Sequence, residues 1–257
     1  NLPAIDSFTD YRPKLPLRVF SADGVQIGEF GEERRNFVPI ALMPQVMKDA
    51  VVAAEDRTFW ENQGVDVRGI IRAARNNATS GEITGGGSTI TQQYVKILYL
   101  NQDRSYVRKV KEAILSVKIH NQLTKSEILE GYLNTIYYGN GAYGVEVASQ
   151  TYFGIPASEL NLRQAAFLAT VINSPSYFDP FVEGGKDRIL PRYNYVLEGM
   201  YKEQAIDSDE YLKAKGNLPK FQKQKVNDRF GGTKGYLLEV VRQQMRAVGF
   251  LDSEIDG

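Results

Sequence analysis

The sequence of 257 residues predicts a mainly helical domain with a small β appendage near its N-terminus. Apolar residues recur at helical spacing in one segment after another from residue 44 onwards. Alternating β-type residues are confined to 17–30, where two short runs flank Ala22-Asp23-Gly24, a pattern typical of a hairpin. Because no strand–helix alternation and no internal repeat is visible, α/β and repeat folds are disfavoured.

The first three helices are predicted from apolar faces and capping residues. The segment that follows Pro44 places apolar side chains on one face of a helix, namely Val46, Ala50, Ala53 and Ala54. A second helix is expected over 67–77 and a third over 88–99, where Ser88 or Thr89 can cap the first turn.

The remaining helices continue this pattern. A fourth helix is expected over 104–122, with an apolar stripe formed by Val107, Val110, Ile114 and Val117. The capping box Thr124-Lys125-Ser126-Glu127 predicts a fifth helix that runs to about Tyr137. Later segments predict helices near 142–152, 158–173, 187–203, 207–214 and 233–247.

These elements suggest three regions. Residues 1–35 form an N-terminal linker with the hairpin, 36–202 form the main helical domain, and 203–257 form a lysine-rich C-terminal linker towards a further domain. The 31 basic and 31 acidic residues balance, so no net charge favours nucleic acid. With no cysteine and one histidine, His120, thiolate chemistry and multi-histidine metal sites are excluded. No apolar run approaches the roughly 20 residues of a membrane span.

Two glycine-rich motifs are similar to patterns found in ligand-binding loops. The run Gly139-x-Gly141-x-x-Gly144 fits a dinucleotide pattern, but a predicted helix precedes it instead of a strand, so a helix–helix turn is expected. The segment 85–96, GGGSTITQQYVK, carries glycines into a helix start and could hold an anion, although it lacks the Walker sequence.

Polar and basic side chains follow that second motif. Thr89, Gln93 and Lys96 share one helix face with Gln92 beside them, and a further basic line contains Arg104, Arg108 and Lys109. These cations could converge on a phosphate or diphosphate, or they could form an ordinary solvated face.

Two acids stand out for their surroundings. Glu55 and Asp56 end an apolar helix and precede Phe59 and Trp60. A carboxylate at such a place can have a raised pKa and serve as a general base, whereas the alternative is a surface acid. The spacing alone does not separate the two interpretations. Glu112 lies within the basic line.

Taken together, four motifs in order resemble the peptidoglycan glycosyltransferase family, the polymerase domain of class A penicillin-binding proteins and of monofunctional transglycosylases. The resemblance covers about 17–202. The matching stretches are Glu55-Asp56-x-x-Phe59, Gly86-Gly87-Ser88-Thr89-Ile90-Thr91-Gln92-Gln93, Arg108-Lys109-x-x-Glu112 and Lys125-x-x-Ile128-Leu129-Glu130-x-Tyr132-Leu133-Asn134. One position departs, because Asn62 stands where the first motif usually carries a histidine, and asparagine cannot titrate.

The resemblance implies a lysozyme-like helical fold with two lobes, and it implies the site residues. Of the two catalytic residues, Glu55 would be the general base, and Glu112 would assist by positioning or electrostatic stabilisation. The substrate-binding set would be Asp56, Phe59, Asn62, Ser88, Thr89, Gln92, Gln93, Lys96, Arg104, Arg108 and Lys109. No metal site and no required cofactor are expected, although a divalent cation such as Mg or Mn could help neutralise a diphosphate.

The resemblance also implies substrates and surroundings. The enzyme would polymerise lipid II on the outer face of the bacterial cell membrane. The donor would be the growing glycan chain on a polyprenyl diphosphate, the acceptor would be lipid II, and the reaction would proceed with inversion and release of polyprenyl diphosphate. Moenomycin-type phosphoglycolipids would inhibit it, and a transpeptidase domain would follow in the full-length protein. The region 93–122 would contact the membrane surface. Nucleic acid is not expected as a partner.

Two other functions share some of these features. A lysozyme-like hydrolase or lytic enzyme would use the same fold and acid, but cleavage of a sugar–sugar bond needs an acid on the leaving oxygen instead of a cationic clamp. A non-catalytic scaffold of cell-wall assembly is hinted at by Asn62, while Glu55, Glu112 and Lys96 favour catalysis.

Overall fold

The structure is a computed structural model that describes residues 17–20, 26–30, 37–66, 88–99 and 106–222, together with position 245. The predicted second helix, the glycine run and the last predicted helix therefore lie outside the described residues, apart from that one position. The chain divides into two compact units, one of 1–3 with 36–222 and one of 4–35 with 223–257. The predicted boundaries at 35 and 202 stay predictions.

The second unit contains the predicted hairpin strands. β1 (Leu17–Phe20) pairs antiparallel with β2 (Gln26–Phe30), with Leu17 opposite Phe30. The register shifts between Val19 and Phe20.

The first unit is helical, which confirms the predicted fold class. Two short 3-10 helices, Ile40–Leu42 and Ala157–Glu159, accompany eight α-helices in the described ranges. The α-helices are α1 Gln45–Glu55, α2 Ile90–Tyr99, α3 Tyr106–His120, α4 Lys125–Thr135, α5 Val145–Phe153, α6 Leu162–Asn173, α7 Gly185–Lys202 and α8 Ser208–Ala214.

Two groups of helices position the residues discussed below. Helices α1, α6 and α7 pack against one another, and α2 packs against α3 and α4. In α6 every residue from Ala165 to Ile172 is buried, which makes it the central helix of the first group. On α1 the predicted face is largely correct, because Ala50, Ala53 and Ala54 are buried, while Val46 is partly exposed.

Capping boxes open several of the helices. The predicted capping box of Thr124 and Glu127 is present at α4. Two more boxes, with the cap residues Asn161 and Asp207, open α6 and α8. The motif from Gly139 to Gly144 connects α4 to α5, so the predicted helix–helix turn is confirmed.

Three of the four residues in the apolar stripe predicted for the fourth helix do not pack into the core, and the side chain of the fourth, Val107, lies outside the described residues. Val110, Ile114 and Val117 are exposed by 60%, 44% and 42%, whereas Glu112, Leu115, Ser116 and Ile119 are buried. The stripe shows helical periodicity, but periodicity does not state which face meets a neighbouring element, and here α2 and α4 cover the other side. No helix within the described ranges is both long and apolar enough to cross a bilayer.

The loop that follows α1 packs tightly against α3. Gly64 adopts φ +87°, and a Cβ atom there would lie 2.5 Å from the carbonyl oxygen of Ser116. A larger residue would therefore strain the backbone and collide with a rigid helix.

Gly64→Ala is expected to lower the free energy of unfolding by roughly 3 kcal/mol, because left-handed strain and a backbone collision act together. The matched control is Gly141→Ala, where φ is +73° but no atom lies within 4 Å of the added Cβ. The control should cost only about 1 kcal/mol. Urea unfolding of both variants measures this difference, and equal losses would contradict the packing argument.

Candidate active site

Glu55 is the last residue of α1, and its carboxylate is nearly buried, with 9% of the side chain exposed. Its Oε2 accepts a hydrogen bond from Gln93 Nε2 at 3.0 Å, and its Oε1 lies 3.4 Å from Arg192 Nη2. Burial raises the pKa of Glu55 above its ordinary value, while the Gln93 hydrogen bond and the Arg192 charge partly oppose this rise. The structure thus presents a nearly buried carboxyl group whose pKa lies above that of an exposed glutamate.

The amide of Gln93 is held at both ends. Its Nε2 donates to Glu55, and its Oε1 accepts a hydrogen bond of 2.8 Å from the Tyr132 hydroxyl. Tyr132 is fully buried on α4, and burial holds its pKa well above the ordinary value. Three helices therefore meet at Glu55 through one chain of hydrogen bonds.

Arg192 completes the surroundings of Glu55. This α7 residue also donates to the Ala54 carbonyl at 3.0 Å, and its guanidinium lies 4.7 Å from the centre of the Tyr195 ring. It was not among the predicted site residues. A signal was present, because Arg192 interrupts the apolar face that contains Ile189 and Val196 on the same helix.

Asp56 differs from its neighbour, since its oxygens are occupied by donors of the protein. It accepts hydrogen bonds from Thr58 Oγ1 at 3.1 Å, from Asn62 Nδ2 at 3.1 and 3.0 Å, and from the Ile90 backbone N–H at 3.1 Å. Burial raises its pKa, and these donors oppose the rise. Asp56 therefore joins the loop after α1 to the N-terminus of α2, where a negative charge is favourable.

Asn62 is the second member of this loop network. Its Oδ1 accepts from the Gly64 N–H at 3.0 Å and from Lys125 Nζ at 3.0 Å. The Lys125 ammonium also lies 4.7 Å from the centre of the Phe59 ring, which is fully buried. The predicted residues Phe59 and Asn62 thus support the loop beside Glu55, and direct contact with a substrate stays a prediction for both.

The start of α2 uses its polar side chains for capping. Thr89 N–H donates to Gln92 Oε1 at 3.0 Å, and Gln92 N–H donates to Thr89 Oγ1 at 3.1 Å. The Thr89 hydroxyl also donates to the Gly64 carbonyl at 2.7 Å, and both side chains are buried. Their polar groups stabilise the helix start, and the prediction that they bind a substrate stays untested.

A second cluster joins α2 to α3. Lys109 Nζ donates to Ser88 Oγ at 2.7 Å and forms a short ion pair with Glu112. Glu112 is only 2% exposed, whereas the Lys109 side chain is 47% exposed. The buried carboxylate therefore anchors a half-exposed cation beside Ser88.

The other three predicted cations are Lys96, Arg104 and Arg108, and the structure describes two of them. Lys96 is exposed on α2, one turn beyond Gln93, and Arg108 is partly buried on α3. Arg104 and the glycines at 85–87 lie outside the described residues. In the described part of the chain, no group of three or more acidic, histidine or cysteine side chains could hold a metal ion.

Comparison with known proteins identifies the family. The family model described as Transglycosylase matches residues 23–201, and the chain therefore belongs to that family. Penicillin-binding protein 1A of Neisseria flavescens is 41% identical over 95% of this chain, and that of Pseudomonas aeruginosa is 42% identical over 83%. The chain spans 30% and 26% of the lengths of these two relatives.

A solved structure agrees with this assignment. The crystal structure of penicillin-binding protein 1A from Haemophilus influenzae is 28% identical, with a TM-score of 0.53. The similarity covers 93% of this chain and 25% of that protein. The family resemblance predicted from the four motifs is therefore confirmed.

Glu55→Gln is expected to raise the melting temperature near neutral pH, because it removes a charge whose burial is unfavourable. A raised folded-state pKa of a carboxyl group favours folding at low pH, and this contribution is lost as the pH rises through the folded pKa. The advantage of the variant should therefore shrink as the pH falls.

Glu198→Gln is the matched control for that measurement. The exposed Glu198 pairs with Lys202, and this hydrogen bond lowers its pKa. The control should gain no stability at neutral pH. Melting curves across a pH series test both variants, and a Glu55→Gln advantage that grows towards acid pH would contradict the burial argument.

Proposed function

We propose that this chain is a peptidoglycan glycosyltransferase that polymerises lipid II into β-1,4-linked glycan strands, with inversion at the anomeric carbon and release of polyprenyl diphosphate. The observation that carries the proposal is the buried Glu55 carboxylate, held by Gln93 and Arg192 within a chain of the transglycosylase family. The relatives named penicillin-binding protein 1A support the same reaction class.

Glu55 acts as the general base. A base works best when its pKa lies near the operating pH, and burial moves the pKa of Glu55 in that direction. Among the described residues, each of its oxygens has one protein donor, so lone pairs remain for an acceptor hydroxyl. The 4-hydroxyl oxygen of the acceptor, lipid II, attacks the anomeric carbon of the donor, the growing glycan chain on a polyprenyl diphosphate. The hydroxyl proton passes to Glu55, and the bond from the anomeric carbon to the diphosphate breaks.

Cations stabilise the leaving diphosphate, which departs as an anion and needs no proton. Lys109 is held beside Ser88 by the buried Glu112, so Glu112 assists by positioning and by electrostatics. Lys96, Arg104 and Arg108 complete the proposed diphosphate site. A divalent cation such as Mg or Mn could join the diphosphate there, with its ligands coming mainly from the substrate, and no cofactor is required by this scheme.

This arrangement favours synthesis over hydrolysis. Hydrolysis of a sugar–sugar bond typically uses two carboxyl groups, one that protonates the leaving oxygen and one that acts as base or nucleophile. The neighbouring acid Asp56 has its oxygens occupied by Thr58, Asn62 and the N–H of Ile90. The one buried acid outside this pair that the sequence singled out, Glu112, is engaged by Lys109. Neither group is therefore available as the second carboxyl group that such hydrolysis would need beside Glu55.

The exposed apolar line of α3 supports action at a membrane surface. Val110, Ile114 and Val117 face outwards, and Lys111 and Lys118 lie on the same helix. Apolar side chains beside lysines suit the interface between headgroups and acyl chains. The proposed location is the outer face of the bacterial cell membrane, where a transpeptidase domain of the longer protein would use the glycan product.

Incubation with labelled lipid II should give glycan polymer on separation by size. Glu55→Gln is expected to abolish polymer, at least about 10²-fold, because the base is lost, and Lys96→Ala should reduce it strongly. The exposed residues Glu159 and Lys213 provide matched controls, and Glu159→Gln and Lys213→Ala should polymerise normally.

Other outcomes of this assay separate the alternatives. Shortening of pre-made glycan without polymer would indicate a hydrolase, and retained lipid II binding without turnover would indicate a scaffold. A moenomycin-type phosphoglycolipid should compete with the substrate, and failure to bind would contradict the diphosphate site.

Replacement of Val110, Ile114 and Val117 by serine should weaken binding to anionic vesicles by about tenfold or more, since apolar area no longer enters the interface. Leu212→Ser is the matched control, because Leu212 is 64% exposed on α8. Co-sedimentation with vesicles measures the effect. Equal binding of the triple variant and the parent protein would overturn the assignment of this surface.

A further inference from the structure

The orientation of the Gln93 amide determines whether an N–H donor or an oxygen atom faces the Glu55 carboxylate. A glutamine side chain presents an N–H₂ group on one side and an oxygen on the other, and the terminal torsion rotates easily between the two arrangements. With its Nε2 towards Glu55, Gln93 donates to the carboxylate at 3.0 Å. With the amide reversed, its oxygen would face the carboxylate, which is favourable only when Glu55 carries a proton.

Tyr132 selects between these arrangements. Its hydroxyl donates to Gln93 Oε1 at 2.8 Å from a fully buried position. A protonated phenol is a donor, and burial holds the pKa of Tyr132 well above its ordinary value, so the group stays protonated. Because the hydroxyl donates to the amide oxygen, the arrangement with the amide nitrogen towards Glu55 is favoured.

We infer that Tyr132 is a positioning residue for the proposed base: through Gln93 it keeps an N–H donor on Glu55 and so preserves the ionised, proton-accepting carboxylate. This inference rests on the proposed function, because it concerns the group that takes the proton. Tyr132 need not touch the substrate, since its effect passes through the amide of Gln93.

The other charged groups around Glu55 act independently of this relay. Arg192 approaches the other oxygen, Oε1, from α7 and favours the ionised form. Asp56 follows in the chain and disfavours it. Tyr132 faces the pair from α4, and Gln93 is the donor from α2. Removal of the Tyr132 hydroxyl should therefore change one hydrogen bond while the charges remain.

Tyr132→Phe tests this inference through the pH profile of polymerisation. The variant keeps the ring but frees the amide, so the acid limb of kcat/KM should move to higher pH by roughly one unit. Activity on the acid side should fall about tenfold and recover towards the parent value at alkaline pH. A loss that is the same at every pH would indicate a merely structural role and overturn the inference.

Tyr138→Phe is the matched control. Tyr138 is also fully buried, and its hydroxyl has no hydrogen-bond partner among the described residues. This variant should leave the acid limb in place. An equal shift in both variants would show that any buried hydroxyl change perturbs the site, which would overturn the specific role of Tyr132. Thermal unfolding confirms that both variants are folded.

A double-mutant cycle with Gln93→Leu isolates the relay. In the background that lacks the amide, Tyr132→Phe should produce no further shift, because the two residues act through one hydrogen-bonded chain. Additive shifts would overturn the inference. In all variants, the pKa of Glu55 is followed directly by carbon-13 NMR, with its carboxyl signal assigned by its loss in Glu55→Gln.

The direct titration also separates the two proposals. If no variant and no parent protein forms polymer, the proposed function fails, yet a raised Glu55 pKa in Tyr132→Phe alone would still support the relay. If polymer forms but the Glu55 pKa is unchanged by Tyr132→Phe, only the relay fails.

Discussion

The structure depends on keeping one carboxylate, Glu55, at a place where a negative charge is costly. It lies at the C-terminal end of α1, where the helix dipole repels anions, and it is nearly buried. In the described part of the chain two donors compensate, Gln93 from α2 and Arg192 from α7. Because these donors come from both groups of packed helices, the site exists only when α1, α2 and α7 are correctly assembled.

Two adjacent acids illustrate how environment assigns different roles. Asp56 lies beside the N-terminus of α2, and Thr58, Asn62 and Ile90 satisfy its oxygens. Glu55, one residue earlier, keeps lone pairs available. Asp56 thereby fixes the loop beside its neighbour, and Glu55 is the acid that the proposed reaction would use to take up a proton. This division of labour follows from hydrogen-bond saturation, since burial raises the pKa of both groups.

Asn62 shows how a departure from the family pattern is accommodated. The amide donates to Asp56 and accepts from Gly64 and Lys125, so it uses both of its polar atoms in the loop. A side chain with donor and acceptor in one group suits this junction without a titrating proton. The departure thus leaves the loop beside Glu55, the proposed base, supported, and it gives no structural reason to favour a scaffold over an enzyme.

The sequence by itself determined the helical fold class, most of the buried face of α1, the capping box at Thr124 and the family. It could do so because periodicity, capping residues and ordered motifs are local properties of the chain. The tertiary structure decided what depends on distant contacts. It turned the α3 stripe outwards, and it brought Arg192 and Tyr132 to Glu55 and its partner Gln93. The spacing of residues along a chain indicates which side chains share a helix face. Only tertiary packing determines whether that face contacts another helix or the solvent.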